Sequence, residues 1–204
     1  MNQMLDELEN LIAFISSEYG RLYDKWKKSS LYIPINQKSK LVKNIVEDDS
    51  IYNSILNYRQ FINENHLEFK MAMDKLNLSS QVNSRVKAQN SIEFKLENYM
   101  SSKHNFGEGP INKCFNDLYG IRIIFNKSVT HKEIENFIKK RFGNDLKCID
   151  SSKGEYVATH IYFKIDNFSY QWELQVWNKE NEKNNILSHE KYKQDYTKWE
   201  KENK

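Results

Sequence analysis

Apolar residues recur at three- and four-residue spacing over residues 2–28, at Leu5, Leu8, Ile12 and Ile15. The same spacing returns over about 49–78, at Ile51, Ile55, Tyr58 and Ile62. Both stretches predict amphipathic helices, and Pro34 punctuates the gap between them. Near residue 82 the texture changes. Residues 82–86 predict a short strand, and 91–100 a helix that Asn90 caps. A Gly/Pro loop over 104–110 leads to a short helix at 112–118 and a strand at 121–125. Thr130 begins a helix that runs to 142 and is stopped by Gly143. Further strands are predicted at 146–149, 156–165 and 168–176, and the polar chain from Asn181 onward reads as helix. The expectation is an α+β fold: a mixed sheet of about five strands flanked by helices. A helical region over 1–80 would pack on a core over 81–178, and a helix over 179–204 would close the chain.

The last two strands allow a register to be derived. Asp166-Asn167 reads as a two-residue hairpin turn, which sets Ile165 opposite Phe168. Ile161 then faces Trp172, Thr159 faces Leu174, and Val157 faces Val176, an apolar set suited to a core. The other face pairs His160 with Glu173, Ala158 with Gln175, and Tyr156 with Trp177. A one-residue slip would mix the two sets. A purely structural hairpin would be expected to show Lys, Thr and Ser outward, not His, Glu, Gln and two aromatics.

Composition narrows the function without naming it. At 204 residues the chain can bury a substantial core, and 31 basic against 28 acidic residues leave only +3. Average charge therefore does not announce a polyanion binder, and local clusters carry the signal. No stretch approaches a membrane span and no signal peptide pattern opens the chain, so a cytoplasmic protein is expected. Cys114 and Cys148 lack CxxC or His partners at ligand spacing and read as buried free thiols. Six glycines and no GxxxxGK exclude a P-loop, so any phosphate must be gripped by side chains.

Those side chains are Arg85 and Lys87, two apart before a helix, then Ser91 and Lys95 stacked on one helix face at four-residue spacing. Asp117 and Arg122 follow, bracketing a turn into a strand. Taken singly, each has an ordinary reading: a solvated strand face for the cations, a turn acid for Asp117, an exposed strand carboxylate for Glu173. Tyr156 alone reads as a packed cross-strand aromatic, and His160 as a hydrogen-bonded strand histidine. The ordered set is more specific. Two acids from separate elements meeting on one sheet face can hold Mg²⁺ through carboxylate oxygens, with phosphates completing the octahedron.

The segments RVKxxxSxxxK, NDLYGIRIIF, Gly154-x-Tyr156-x-x-x-His160, Glu173-Leu-Gln175 and His189-Glu-Lys-Tyr-Lys193 keep one order over about residues 82–193. In order and wording they resemble the (p)ppGpp synthetase domain of the RelA/SpoT family. The resemblance implies a nucleotidyltransferase-like mixed sheet and transfer of the β,γ-pyrophosphate of ATP to a ribose 3′-hydroxyl. It implies that Arg85 and Arg122 sandwich the adenine, and that Lys87, Ser91 and Lys95 hold the phosphates. Asp117 and Glu173 would bind Mg²⁺, with Glu173 also serving as general base. Tyr156 would stack on the acceptor base, His160 and Gln175 would position the acceptor, and Lys153 would meet a phosphate. His189, Tyr192 and Lys193 would anchor the final helix.

The chain departs from that pattern. Where the family commonly has Arg-Thr after Glu-Leu-Gln-x, this sequence has Trp177-Asn178, which removes a phosphate contact beside the acceptor and offers a stacking platform for an unpaired base. Lys25, Lys27 and Lys28 around Trp26 form a basic-aromatic cluster that could touch an RNA backbone. These departures resemble the toxic small alarmone synthetases of toxin–antitoxin modules. That subgroup implies as acceptor the 3′-terminal adenosine of tRNA, a block of translation, and a neutralising antitoxin partner. GDP or GTP as acceptor, making (p)ppGpp, is the alternative. A module that senses nucleotide without turning it over is the other class left open.

Overall fold

The structure is a computed structural model and describes residues 2–191. Helix α1 (Asn2–Lys27) places Leu8, Leu11, Ile12, Ile15, Tyr19, Leu22 and Trp26 on one buried stripe, the predicted period continued to its end. A one-turn helix α2 (Asn44–Glu47) leads into α3 (Asp49–Asp74), whose first turn is capped by the Asp48 carboxylate accepting from the Ser50 N–H. Strand β1 (Gln81–Val86) feeds α4 (Gln89–Met100), and a 3₁₀ segment (Ser102–Gly107) and one-turn α5 (Ile111–Cys114) follow. Next come β2 (Tyr119–Phe125), α6 (His131–Phe142), β3 (Lys147–Asp150), β4 (Thr159–Phe163) and β5 (Trp172–Asn178). The chain is helical again over 182–191. Tyr192 and Lys193, expected to anchor that helix, lie outside the described residues.

Helix α6 has the boundaries its sequence announces. Thr130 and Glu133 form a reciprocal capping box, and Gly143 ends the helix at φ +60°, in the left-handed region that favours glycine. By contrast, α4 begins two residues before the expected 91 and its N-cap is Ala88, not Asn90. The Lys87 N–H is tied to the Leu118 carbonyl, so the chain leaves β1 and turns at once into the helix.

The five strands form one mixed sheet in the order β1-β2-β5-β4-β3, antiparallel throughout except for the parallel pair β2–β5. Helices α1 and α3 cover one face. Tyr19 and Phe69 pack on Trp172, the Trp172 indole N–H donates to the Tyr58 hydroxyl, and the Tyr19 hydroxyl donates to the Tyr170 carbonyl. A single apolar cluster runs from α1 through α3 to this sheet face, each fully buried Leu or Ile contributing about 1.5–3 kcal/mol as an upper bound. No helix among the described residues is long and apolar enough to cross a membrane.

The β4–β5 register differs from the expected one by two residues. Thr159 pairs with Val176, His160 with Gln175, Ile161 with Leu174, and Tyr162 with Glu173. Two contacts explain the change. Asn185 of the 182–191 helix takes both the N–H and the carbonyl of Val157, so β4 cannot begin at 156. At the other end Asp166 accepts from the N–H groups of Phe168 and Ser169 and is held by the Tyr23 hydroxyl, which makes a broad loop of 164–171. An even shift leaves the residues of 159–163 and 172–176 on their predicted faces, whereas Val157, Ile165 and Phe168, expected on the apolar side, fall outside the strands and are exposed. His160, Glu173 and Gln175 therefore still share the face opposite the main core.

Candidate functional site

That face is assembled by strand pairing. Arg85 of β1 lies opposite Gly120, Arg122 of β2 opposite Gln175, and His160 of β4 opposite the same Gln175. The Arg85 side chain lies over Gly120, its Nε at 3.7 Å, ordinary contact distance, from where a Cβ would stand. A cavity of about 590 Å³ opens over the face. Arg85, Lys87, Ser91, Asp117, Lys153, Tyr156, His160, Glu173 and Gln175 line it, joined by Ser188 and His189 from the last helix. Nine of the residues expected from the motifs thus meet at one wall.

Lys87 closes β1 and Asp117 precedes β2, so the hydrogen bond between their neighbourhoods draws them together. The Lys87 ammonium lies 2.6 Å from Asp117 Oδ2 and that of Lys95 lies 3.0 Å from Oδ1. Burial works against charge on Asp117, but the two ammonium groups outweigh it and hold the carboxyl well below its usual range. Lys87, 7% exposed, is brought below the ordinary lysine value by burial, an effect that Asp117 partly offsets. The result is a rigid cation–anion–cation clamp.

Glu173 is 5% exposed and surrounded by donors. Its Oε1 accepts from the Tyr162 hydroxyl at 3.0 Å and lies 2.9 Å from His160 Nδ1, and its Oε2 accepts from the Gln175 amide at 2.7 Å. Burial pushes Glu173 up, but the His160 contact and the Gln175 hydrogen bond bring it below the ordinary value despite repulsion from Asp117. Both carboxylates are therefore ionised and close enough to repel. This donor set fits a divalent, oxygen-seeking cation. No third acid, His or Cys joins them in a metal-sized cluster among the described residues, so phosphate and water oxygens would supply the remaining positions.

Arg122 and Lys95 stand behind the cavity wall. Arg122 donates through Nε and Nη2 to Gln175 Oε1, at 3.1 and 2.9 Å, and Nη2 lies 3.3 Å from His189 Nε2. Its guanidinium carbon sits 3.5 Å from the centre of the Trp177 ring. Burial, then repulsion from Arg85, lowers Arg122 from its ordinary value. Across the cavity, Lys153 and Tyr156 exchange two backbone hydrogen bonds around a tight reversal whose Gly154 has φ +60°. This turn presents the lysine and the phenol together.

One expectation is corrected, and one falls outside the cavity. Trp177 is 1% exposed, so it offers no open face to an unpaired base: Arg122 covers its ring and His189 stacks beside it at 5.6 Å. Lys25, Lys27 and Lys28 lie at the end of α1 and do not line the cavity. Lys25 donates to Asn65 and Lys27 pairs with Asp24, the i, i+3 neighbour that sequence spacing already offered. Sequence reasoning missed Tyr162, although strand alternation places it on the His160 face, and gave His189 only an anchoring part. Ser188 carried no signal at all.

No protein-family model and no curated protein matches the chain. Among solved structures it is similar to small alarmone synthetase 1 from Bacillus subtilis, with 19% sequence identity and a TM-score of 0.43 over 73% of this chain and 82% of that one. It is similar also to small alarmone synthetase 2 from Bacillus subtilis, at 20% identity and a TM-score of 0.40 over 70% and 80% of the two chains. A form of small alarmone synthetase 1 bound to AMPCPP gives 19% and 0.39 over 73% and 82%. Likenesses at this distance leave function to be read from the site's own residues.

Proposed function

We propose that this protein transfers the β,γ-pyrophosphate of ATP to a ribose 3′-hydroxyl, and that the acceptor is the 3′-terminal adenosine of tRNA. The observation that carries the reading is the meeting of the Lys87–Asp117–Lys95 clamp with Glu173, Arg85 and Tyr156 around one cavity. Pyrophosphoryl transfer needs this combination: cations and oxygen ligands for a polyphosphate, planar groups for two bases, and fixed charge where negative charge develops.

In this reading Arg85 holds the adenine, whose ring suits a planar guanidinium, and Arg122 backs it from behind the cavity wall. Lys87 and Ser91 hold the triphosphate, and Lys95 adds its charge from behind the wall through Asp117. Asp117 and Glu173 would hold Mg²⁺, which when bound offsets charge on the phosphates. Tyr156 stacks on the acceptor base, while His160 and Gln175 fix its position. The 3′-oxygen attacks the β-phosphorus, the bond from that phosphorus to the α-phosphate oxygen breaks, AMP leaves, and the hydroxyl proton passes to Glu173.

The charge distribution favours the tRNA end. Once the ATP contacts are assigned, Lys153 is the cation left beside Tyr156 among the described residues that line the cavity. One lysine matches the single phosphodiester next to a terminal adenosine better than the di- or triphosphate of a guanosine nucleotide. Trp177, standing where arginine is common, adds no phosphate contact. Modifying that terminal hydroxyl would stop aminoacylation.

The test is incubation with γ-labelled ATP, Mg²⁺ and either deacylated tRNA or GDP plus GTP. Label in tRNA that disappears when the terminal adenosine is removed supports the reading. Label in a guanosine nucleotide would make the chain a (p)ppGpp synthetase, and no transfer to either would sink the activity altogether.

A further inference from the structure

Trp177 stands apart from the main core. It belongs to a small separate cluster with Ile124 and Ala158 on the site face of the sheet, against which Tyr156 packs. Here the ring carries the Arg122 guanidinium at 3.5 Å, and the indole N–H donates to the Tyr156 hydroxyl at 3.4 Å, with the two rings edge to face at 5.9 Å. Strand pairing brings these groups together: β5 sets Gln175 opposite Arg122 and Trp177 one step along the same face, while Tyr156 comes down from the Gly154 turn.

The polar contacts form a directed chain. Trp177 can only donate and ionised Glu173 can only accept. The Nδ1 of His160 lies 2.9 Å from Glu173, and its Nε2 lies 2.9 Å from the Tyr156 hydroxyl. Tyr156 is thus held between the Trp177 N–H and the His160 ring. Arg122 is fixed in its plane by Gln175 and across its face by Trp177. One side chain touches both.

We propose that Trp177 is a positioning residue that couples the two half-sites, orienting Arg122 on the ATP side through its ring face and Tyr156 on the acceptor side through its indole N–H. The inference rests on the pyrophosphate-transfer reading above and adds to it a residue that the chemistry itself does not touch. It predicts that the two contacts can be separated by substitution.

Initial rates of label transfer, with ATP and acceptor varied in turn, read the two sides independently. Trp177→Phe keeps a ring face under Arg122 and removes the N–H. The acceptor KM is expected to rise about two- to tenfold, the size of one lost hydrogen bond, with the ATP KM within about threefold. Trp177→Leu removes both contacts, so the ATP KM is expected to rise as well, by about two- to thirtyfold, as for a lost cation–π contact. Combining Trp177→Phe with Tyr156→Phe should leave the acceptor KM no worse than the weaker single variant. If Trp177→Phe fails to fold, Tyr156→Phe alone must still show the selective rise in acceptor KM. Equal rises in both KM values for either Phe variant, or strict additivity in the double variant, would overturn the coupling while leaving the activity intact. A wild-type protein that transfers to neither acceptor would overturn the functional reading, and this inference with it.

Discussion

Replacing Asp117 by asparagine tests the centre of the site with the smallest change of shape. The native carboxylate gives one oxygen to Lys87 at 2.6 Å and the other to Lys95 at 3.0 Å, with Lys87 7% exposed and the side chains of Asp117 and Lys95 each 15%. The amide removes the negative charge and turns an –NH₂ group toward one ammonium, so two cations remain in a poorly hydrated place. Removing one partner of a buried pair costs about 3–5 kcal/mol, and the cavity beside these lysines reduces that to about 2–4 kcal/mol. For a chain of this size each kcal/mol moves Tm by about 2–4 °C, so a fall of about 4–16 °C is expected by calorimetry at pH 7. Tripolyphosphate without Mg²⁺ should raise the Tm of Asp117→Asn more than that of wild type, because the added anion replaces the missing one. The native Asp117 carboxyl is held below its ordinary 3.8. Its contribution is thus present above about pH 3.8 and lost as pH falls through the lower folded value, so the gap between the two proteins should persist from pH 8 to 5 and close in stronger acid. A Tm change under about 2 °C with no extra response to tripolyphosphate would refute the clamp.

Three further outcomes are expected. Burial, then repulsion from Arg122 and Arg85, lowers His189 to about 4, so the unfolded chain binds its proton first and stability falls as pH drops from about 6.5 to 4. After allowance for solvent screening this loss is about 1–2 kcal/mol, and His189→Gln should flatten that part of a Tm-against-pH curve. Thr130→Ala removes the capping box of α6 and should cost about 1 kcal/mol, read by urea titration, with pyrophosphate transfer unchanged because α6 does not line the cavity. Gly154→Ala has open space around the new methyl group but φ +60°, so the strain of about 1–2 kcal/mol should displace Lys153 and Tyr156 and raise the acceptor KM more than the ATP KM.

Periodicity and end signals were legible in the sequence because they are local. The stripe on α1, the Thr130 and Gly143 ends of α6, and the alternation that puts His160, Glu173 and Gln175 on one face all follow from neighbours in the chain. So did the order of Arg85, Lys87 and Ser91 and of the acids that meet them, since it could be read along the sequence. What neighbours cannot encode is which distant group claims a given backbone or side-chain atom. Val157 leaves β4 because Asn185, 28 residues later, takes both of its backbone groups, and the register moves by two. Trp177 becomes buried because Arg122 arrives from a parallel strand and His189 from the last helix. Much of the candidate site's composition, though not Tyr162 or Ser188, was therefore legible in the sequence. The division of labour within it was decided by long-range packing, where burial makes each polar atom find a partner and only the folded chain determines which one is near.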